Sequence, residues 1–350
     1  MTAHNPGRFW RSGDAEPGAL AGERVAVLGY GNLGRALALN LRDVAARDGS
    51  IGQLVVGNVE DEYAGQARRD GFTVLAIEEA VTGSDVVLIL LPDEVIADLF
   101  SGSIAPHLSP GAAILMASGY NLAYGLVSAP QGVDVLLLAP RMGGEHVRGR
   151  FQSGEGFLAY GSVEQDASGK ALARLLGIAD AAGALKAGVL ELDARREADL
   201  DLFVEQTIGA VIGVTVMSAF TLGVEAGIPP EAMVLEMYMS GEMETVFRAF
   251  RERGFFPASE VHGPTAMYGG FVRTMELMLS DLPARFRQTL EDISSGEFAQ
   301  RFQAEREAGY PSLTQALSMA GEQDPIAQPI AQAEARVRSL LGIKQQEAGR

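Results

Sequence analysis

Residues 199–206 read DLDLFVEQ, with Asp201 and Glu205 four apart among Leu200, Leu202, Phe203 and Val204. On a helix this spacing puts both carboxylates on one face. Two like charges there repel, by about 0.2–0.5 kcal/mol on an exposed helix and by more when buried. The face must therefore be solvated, paired with arginine, or turned toward a ligand that offsets the charge.

A second pattern lies near the N-terminus. GYGNLG supplies Gly29, Gly31 and Gly34 in G-x-G-x-x-G spacing, after the strand-like Val25–Leu28 and before an apolar-periodic helix. In that context the first glycine permits the tight turn, the second lets a pyrophosphate reach the backbone, and the third lets helix and strand pack closely. The helix N-terminus then faces the phosphates. Gly29, Tyr30, Gly31, Asn32, Leu33 and Gly34 are the expected cofactor turn, with an ordinary glycine-rich turn as the bland reading. The ribose end is expected at the loop GNVEDEYAG, where Asn58, Glu60, Asp61 and Glu62 cluster and the nearest cations, Arg68 and Arg69, lie a helix turn or more away. A free 2′-hydroxyl suits a carboxylate, whereas a 2′-phosphate suits arginine. The loop thus favours NADH over NADPH, unless it is simply a solvated acidic loop.

Elements must hold these groups in place. QLVVGN and FTVLA read as strands. DVVLILLP (85–92), GAAILMAS (111–118) and VDVLLLAP (133–140) are continuous apolar runs, the pattern of parallel strands buried on both faces. Leu91 and Pro92, at the end of the first run, are placed at the cofactor. Strands alternating with helices predict an α/β Rossmann-type, doubly wound parallel sheet. After about residue 193 the buried-strand runs stop and three long helical segments follow, punctuated by Gly227, Pro229, Pro230 and Gly254–Pro257. The boundaries read as 1–192 for the dinucleotide-binding domain, with residues 1–23 a loose lead-in, 193–342 for an all-helical domain, and 343–350 for a polar tail.

Composition narrows the classes. The chain has 350 residues, 47% hydrophobic, no cysteine, and a net charge of −17. That excludes a disulfide framework and a thiolate zinc site and disfavours nucleic acid and anionic membranes as partners. No uninterrupted apolar run of about 18 residues is evident, so no membrane span is expected, and no signal peptide is read at the N-terminus. A cytoplasmic location fits.

VAVLGYGNLGRALALNLRD, LILLPDEV, IAPHLSPGAAILMASGYN, DVLLLAPRMGGEHVR, the segment from EQDASGK to GVLE, DLFVEQ and VEAGIPPEAMVLE occur in that order over roughly residues 20–300. Together they resemble ketol-acid reductoisomerase, the acetohydroxy acid isomeroreductase of branched-chain amino-acid synthesis. The resemblance implies a Rossmann domain followed by a knotted all-helical domain that builds a homodimer or larger homo-oligomer. It also implies Mg2+ held by Asp201, Glu205 and Glu236, alkyl migration on a small-molecule keto acid, and hydride transfer from NAD(P)H.

Three positions depart from the family pattern. Ser240 stands where a fourth carboxylate is expected, and Ser118 stands in SGYN where the family has histidine. Arg141 stands in APRMGGEH where the family has lysine. Serine is a poor ligand for a divalent cation and does not buffer protons near neutral pH. Arginine grips carboxylates but does not donate protons usefully. On a continuous helix Glu244 would return to the face of Glu236 and could replace the missing ligand. Ser259 and His262 are loose candidates for substrate contacts. The three changes share a direction, so the expected function is a reductase with Arg141, Ser118 and Glu205 at its chemistry and with alkyl migration changed or lost. The alternatives are a genuine reductoisomerase that converts 2-acetolactate to 2,3-dihydroxyisovalerate, and a non-catalytic dinucleotide-binding paralogue.

Overall fold

The computed structural model describes residues 7–259, 263–319, 325 and 327–343. The chain divides into two compact units, one ending at Asp201 and one beginning at Leu202.

The first unit is built on nine strands: β1 (Phe9–Trp10), β2 (Arg24–Leu28), β3 (Gln53–Gly57), β4 (Val74–Leu75), β5 (Val86–Ile89), β6 (Ala113–Met116), β7 (Asp134–Pro140), β8 (Leu158–Gln165) and β9 (Gly188–Glu191). They form one sheet in the order β1-β9-β8-β7-β6-β5-β2-β3-β4. Strands β2 to β7 pair in parallel, as their apolar runs require, and the order reverses between β2 and β5. The sheet is nevertheless mixed: β8 runs antiparallel to β7, and β1 runs antiparallel to β9.

Side chains alternate across the pleat, so each strand feeds two cores. Val25 and Val27 join one core with Leu37 and Leu41 of α1 (Asn32–Asp48), while Ala26 and Leu28 join the other with Ile77, Val81 and Ile96. Further helices of this unit include α2 (Glu62–Arg69), α3 (Ile77–Val81), α4 (Asp93–Leu99), α5 (Tyr120–Ala123), α6 (Gly144–Ser153), α7 (Ala171–Ala182) and α8 (Ala184–Ala187).

The lead-in expected over residues 1–23 is partly wrong. From residue 7 onward the segment belongs to the fold: β1 extends the sheet and Trp10 and Leu20 are buried in the first core. A strand of two residues carries no alternation pattern, so polarity hid it.

The α9 helix (Ala194–Val204) passes through a π turn, Glu205–Gly209, into α10 (Ala210–Glu225). The second unit continues with α11 (Pro230–Val234), a second π turn (Leu235–Met239), α12 (Glu242–Arg253), α13 (Phe255–Ser259), α14 (Pro264–Met278), α15 (Leu282–Ser294), α16 (Glu297–Glu307), α17 (Pro311–Met319) and α18 (Ala327–Leu341). Two of the three long helical segments are therefore interrupted. Gly241, left-handed at φ 82°, breaks the second; Ser280–Asp281 and Ser295–Gly296 break the third.

The buried core of this unit is small, centred on Phe220, Val234, Ala333 and Val337. Ile208, Ile212, Val214, Met217 and Leu222 are exposed instead. By length and composition alone, the helix from Ala194 to Glu225 is long and apolar enough to cross a membrane. Its glycine, serine and threonine positions break the apolar run without adding charge.

Candidate active site

A cavity of ≈ 650 Å³ opens at the C-terminal ends of β2, β5 and β6, lined by Gly29–Leu33, Asn58, Asp61, Leu90–Asp93 and Met116–Ser118. It lies where the strand order reverses, the crevice in which doubly wound sheets bind dinucleotides.

The three glycines do different work. Gly29 is left-handed at φ 89°, and a Cβ there would sit 2.7 Å from the Leu90 carbonyl oxygen. At Gly34 a Cβ would fall 2.1 Å from the Gly29 carbonyl oxygen, so only glycine lets α1 pack on the turn. At Gly31 a Cβ would meet nothing within 4 Å. Gly31 is also the N-cap of α1, without a side-chain cap, and no acidic residue lies in the first turn. An open cradle above uncapped backbone N–H groups fits a pyrophosphate.

Asn58 organises the loop after β3. It accepts from the Tyr30 backbone N–H at 3.0 Å and donates to Asp61 Oδ1 at 2.8 Å. Asp61 in turn caps α2 through the Ala64 N–H. Asp61, not Glu60, lines the main cavity. Glu60 borders a smaller cavity of ≈ 320 Å³ beside Asn58 and Ile77, and its carboxylate is paired with Arg68. The Tyr30 side chain does not face the cavity space: it is 1% exposed, packs edge-on against Phe72, and its hydroxyl donates to Asp70 at 2.9 Å. Burial, and then Asp70, push that phenol's pKa up. Leu91 and Pro92 form a wall of the cavity.

At the other end, Ser118 Oγ donates to Asp93 Oδ2 at 3.1 Å and accepts the Tyr120 N–H at 3.2 Å. Asn121, fully buried, donates to Asp93 Oδ1 at 3.0 Å. Burial raises the Asp93 carboxyl above the usual range, against the lowering effect of these bonds.

Nearby, Arg141 bonds Glu197 at 3.2 Å and Asp201 at 3.1 Å, and lies 4.9 Å over the Tyr160 ring. It is thus not free to serve only as a grip for substrate. Glu197 is 1% exposed and accepts the Gly119 N–H at 2.7 Å. Its pKa is raised by burial, against the pull of that N–H and of Arg141. Asp199 accepts from Tyr124 and Arg195.

Sequence reasoning missed Asp93 and Glu197. Asp93 follows the end of a buried parallel strand, where such sheets place ligands. Glu197 precedes Asp201 by one helical turn.

The carboxylates fit a metal less well. Among the described residues no group of three His, Asp or Glu side chains is placed to hold a cation. The replacement ligand sought at Glu244 is also unavailable in the expected way. Gly241 ends the helical path from Glu236, and Ser240 instead accepts the Glu242 N–H of the next helix. His262 and the side chain of Ser259 lie outside the described residues.

A crevice at the strand reversal, with an open glycine cradle, defines a dinucleotide-dependent oxidoreductase. Residues 19–188 match the acetohydroxy acid isomeroreductase NADPH-binding domain, and residues 195–342 match the ketol-acid reductoisomerase C-terminal domain. A solved NADH-preferring ketol-acid reductoisomerase from an uncultured archaeon is 30% identical, with a TM-score of 0.86 over 95% of this chain and 99% of that one. The chain belongs to the ketol-acid reductoisomerase family. More distant structures share the fold alone. They include a semialdehyde dehydrogenase NAD-binding protein from Cupriavidus necator, in complex with calcium and NAD (20% identity, TM-score 0.60, 77% of this chain and 98% of that one). A 1-pyrroline-5-carboxylate reductase from Streptococcus pyogenes is another (15%, 0.51, 78% and 98%).

Proposed function

We propose that the protein is an NADH-dependent reductase of a small keto acid that keeps the hydride step of its family, with the alkyl-migration step impaired or lost. The observation that carries this reading is the substrate end of the cavity. There Ser118 is bonded to Asp93, at the position where the family has a histidine, and Arg141, at the position where the family has a lysine, is held by Glu197 and Asp201. When bound, the reduced nicotinamide supplies the hydride. Gly31 and the first turn of α1 would hold the pyrophosphate, Asn58 and Asp61 would meet the ribose, and Leu91 and Pro92 would shield the nicotinamide from water. The carboxylate of Asp61 and the Glu60–Arg68 pair leave a 2′-phosphate without a free cation in this loop, which supports NADH, as does the likeness to an NADH-preferring relative.

Among the described residues no three acidic or histidine side chains of one chain gather for a hard cation. A second copy that brings its own Glu236 to Asp201 and Glu205 would complete three carboxylates for Mg2+. The exposed apolar side of α10 supports such a homodimer, or a larger homo-oligomer, better than a membrane. The absence of cysteine supports a cytoplasmic location.

The second reading, a complete reductoisomerase, draws on the two family matches and the 0.86 structural likeness. Assays with NADH and Mg2+ separate the two. Rapid turnover of 3-hydroxypyruvate, which needs no migration, with little or none of 2-acetolactate is the expected result. Conversion of acetolactate to dihydroxyisovalerate at a similar rate would establish the second reading. NADH binding without turnover of either would mark a non-catalytic paralogue.

A further inference from the structure

Carbonyl reduction needs a proton as well as a hydride, because addition at carbon leaves charge on oxygen. Neither Arg141 nor a lone serine hydroxyl is a useful donor near neutral pH. The cavity holds a better placed pair of groups. Asp93 and Ser118 both line it, at the end away from Asn58 and Asp61, and they are bonded to each other.

We propose that Asp93, acting through the Ser118 hydroxyl, delivers the proton that completes carbonyl reduction. This rests on the reductase reading above. Ser118 is positioned to pass a proton because its oxygen has two acceptor sites and one hydrogen. The Tyr120 N–H fills one acceptor site. A protonated Asp93 Oδ2 would fill the other, leaving the serine hydrogen free to point into the cavity.

In the step, the carbonyl carbon takes the hydride as its π bond opens. The oxygen takes the Ser118 hydrogen, and Ser118 Oγ takes the Asp93 proton. Asp93 is left as a carboxylate that accepts from Ser118, which is the arrangement seen here. Water at the half-buried carboxyl restores the proton once product leaves. The surroundings favour a carboxyl that holds a proton: burial and the charges of Glu94 on its own helix and Asp201 on α9 act against ionisation, while Ser118 and Asn121 act for it. Glu197, also on α9, adds a further like charge near Asp93.

The test is NADH oxidation with 3-hydroxypyruvate by wild type, Asp93→Asn, Ser118→Ala and the double variant, across pH and with NADH affinity measured for each. Wild-type kcat/KM is expected to fall as pH rises past the Asp93 ionisation. Each single variant should lose about 10²-fold in kcat, the scale of acid catalysis, and should lose that pH step while binding NADH within about twofold of wild type. The double variant should be no slower than the worse single one, because the two residues act as one path. An active wild type with an unmoved pH profile in Asp93→Asn, or with losses that multiply in the double variant, overturns the relay alone. If Asp93→Asn does not fold, Ser118→Ala decides by the same pH criterion. A wild type that binds NADH but reduces neither 3-hydroxypyruvate nor acetolactate overturns the reductase reading, and the relay with it.

Discussion

Gly31 and Gly34 are three residues apart and have opposite surroundings. A methyl group at Gly31 meets open space and an ordinary backbone at φ −68°, whereas at Gly34 it meets a carbonyl oxygen at 2.1 Å. Gly31→Ala is therefore expected to keep the melting temperature and to weaken NADH binding by about tenfold, read by fluorescence titration, because the methyl occupies the phosphate approach. Gly34→Ala should instead destabilise the fold by about 1–3 kcal/mol, the range for overpacking, read by urea denaturation. Asp70 gives a pH prediction. Arg35, with help from Tyr30 and Gln66, holds its carboxyl down to about 2. A depressed folded-state pKa adds stability above the unfolded value of about 4 and loses it as pH falls from there toward 2. The melting temperature should drop over that window, and drop less in Asp70→Asn, by scanning calorimetry. At this scale the glycine pattern was readable because it is local. The commitment of Arg141 was not, because Glu197 and Asp201 lie more than fifty residues away in sequence and only the fold brings them to it.

Elements were legible in proportion to their length and pattern. β5, β6 and β7 are continuous apolar runs buried on both faces, and the sequence shows them as such. β1 is two residues long and reveals itself only by pairing with β9 and by Trp10, 2% exposed. Trp10→Ala should cost about 3–5 kcal/mol, as for other large-to-small changes in a core, and denaturant unfolding checks it. A change well under 1 kcal/mol would mean that β1 is an ornament on the sheet edge. The extrapolation from Glu236 to Glu244 failed for a definable reason. It assumed one period across Ser240–Gly241, where a left-handed residue resets the chain direction. The pair Ser-Gly was visible in the sequence, but helical geometry was carried through it.

On the scale of the whole molecule, the second unit buries few side chains for its length, while apolar residues of α10 and α14 face outward, among them Ile212, Val214, Met217, Phe271 and Met275. Patches of this kind mark association surfaces. Ile212→Asp is expected to shift sedimentation from dimer or larger to monomer, and to lower Mn2+ affinity at the same time if Glu236 is shared between copies. A monomeric wild type would remove both expectations. The net charge of −17 means that such assembly, and the binding of an anionic keto acid, should strengthen with added salt over the low range, where self-repulsion is screened.

The π turn at Glu205–Gly209 gives that surface a further property. It holds one residue more than an α-helical turn, so it works as a phase shifter between the carboxylates of α9 and the apolar stripe of α10. Straightening it into ordinary α-helix with every residue kept would rotate everything beyond it by about 100°, swapping the stripe for a different one without touching Asp201. Removing one residue inside the turn, by contrast, would close it to an α-helical turn and leave the stripe in phase with Asp201, so a change in chain length at this point need not alter how copies of the chain recognise one another.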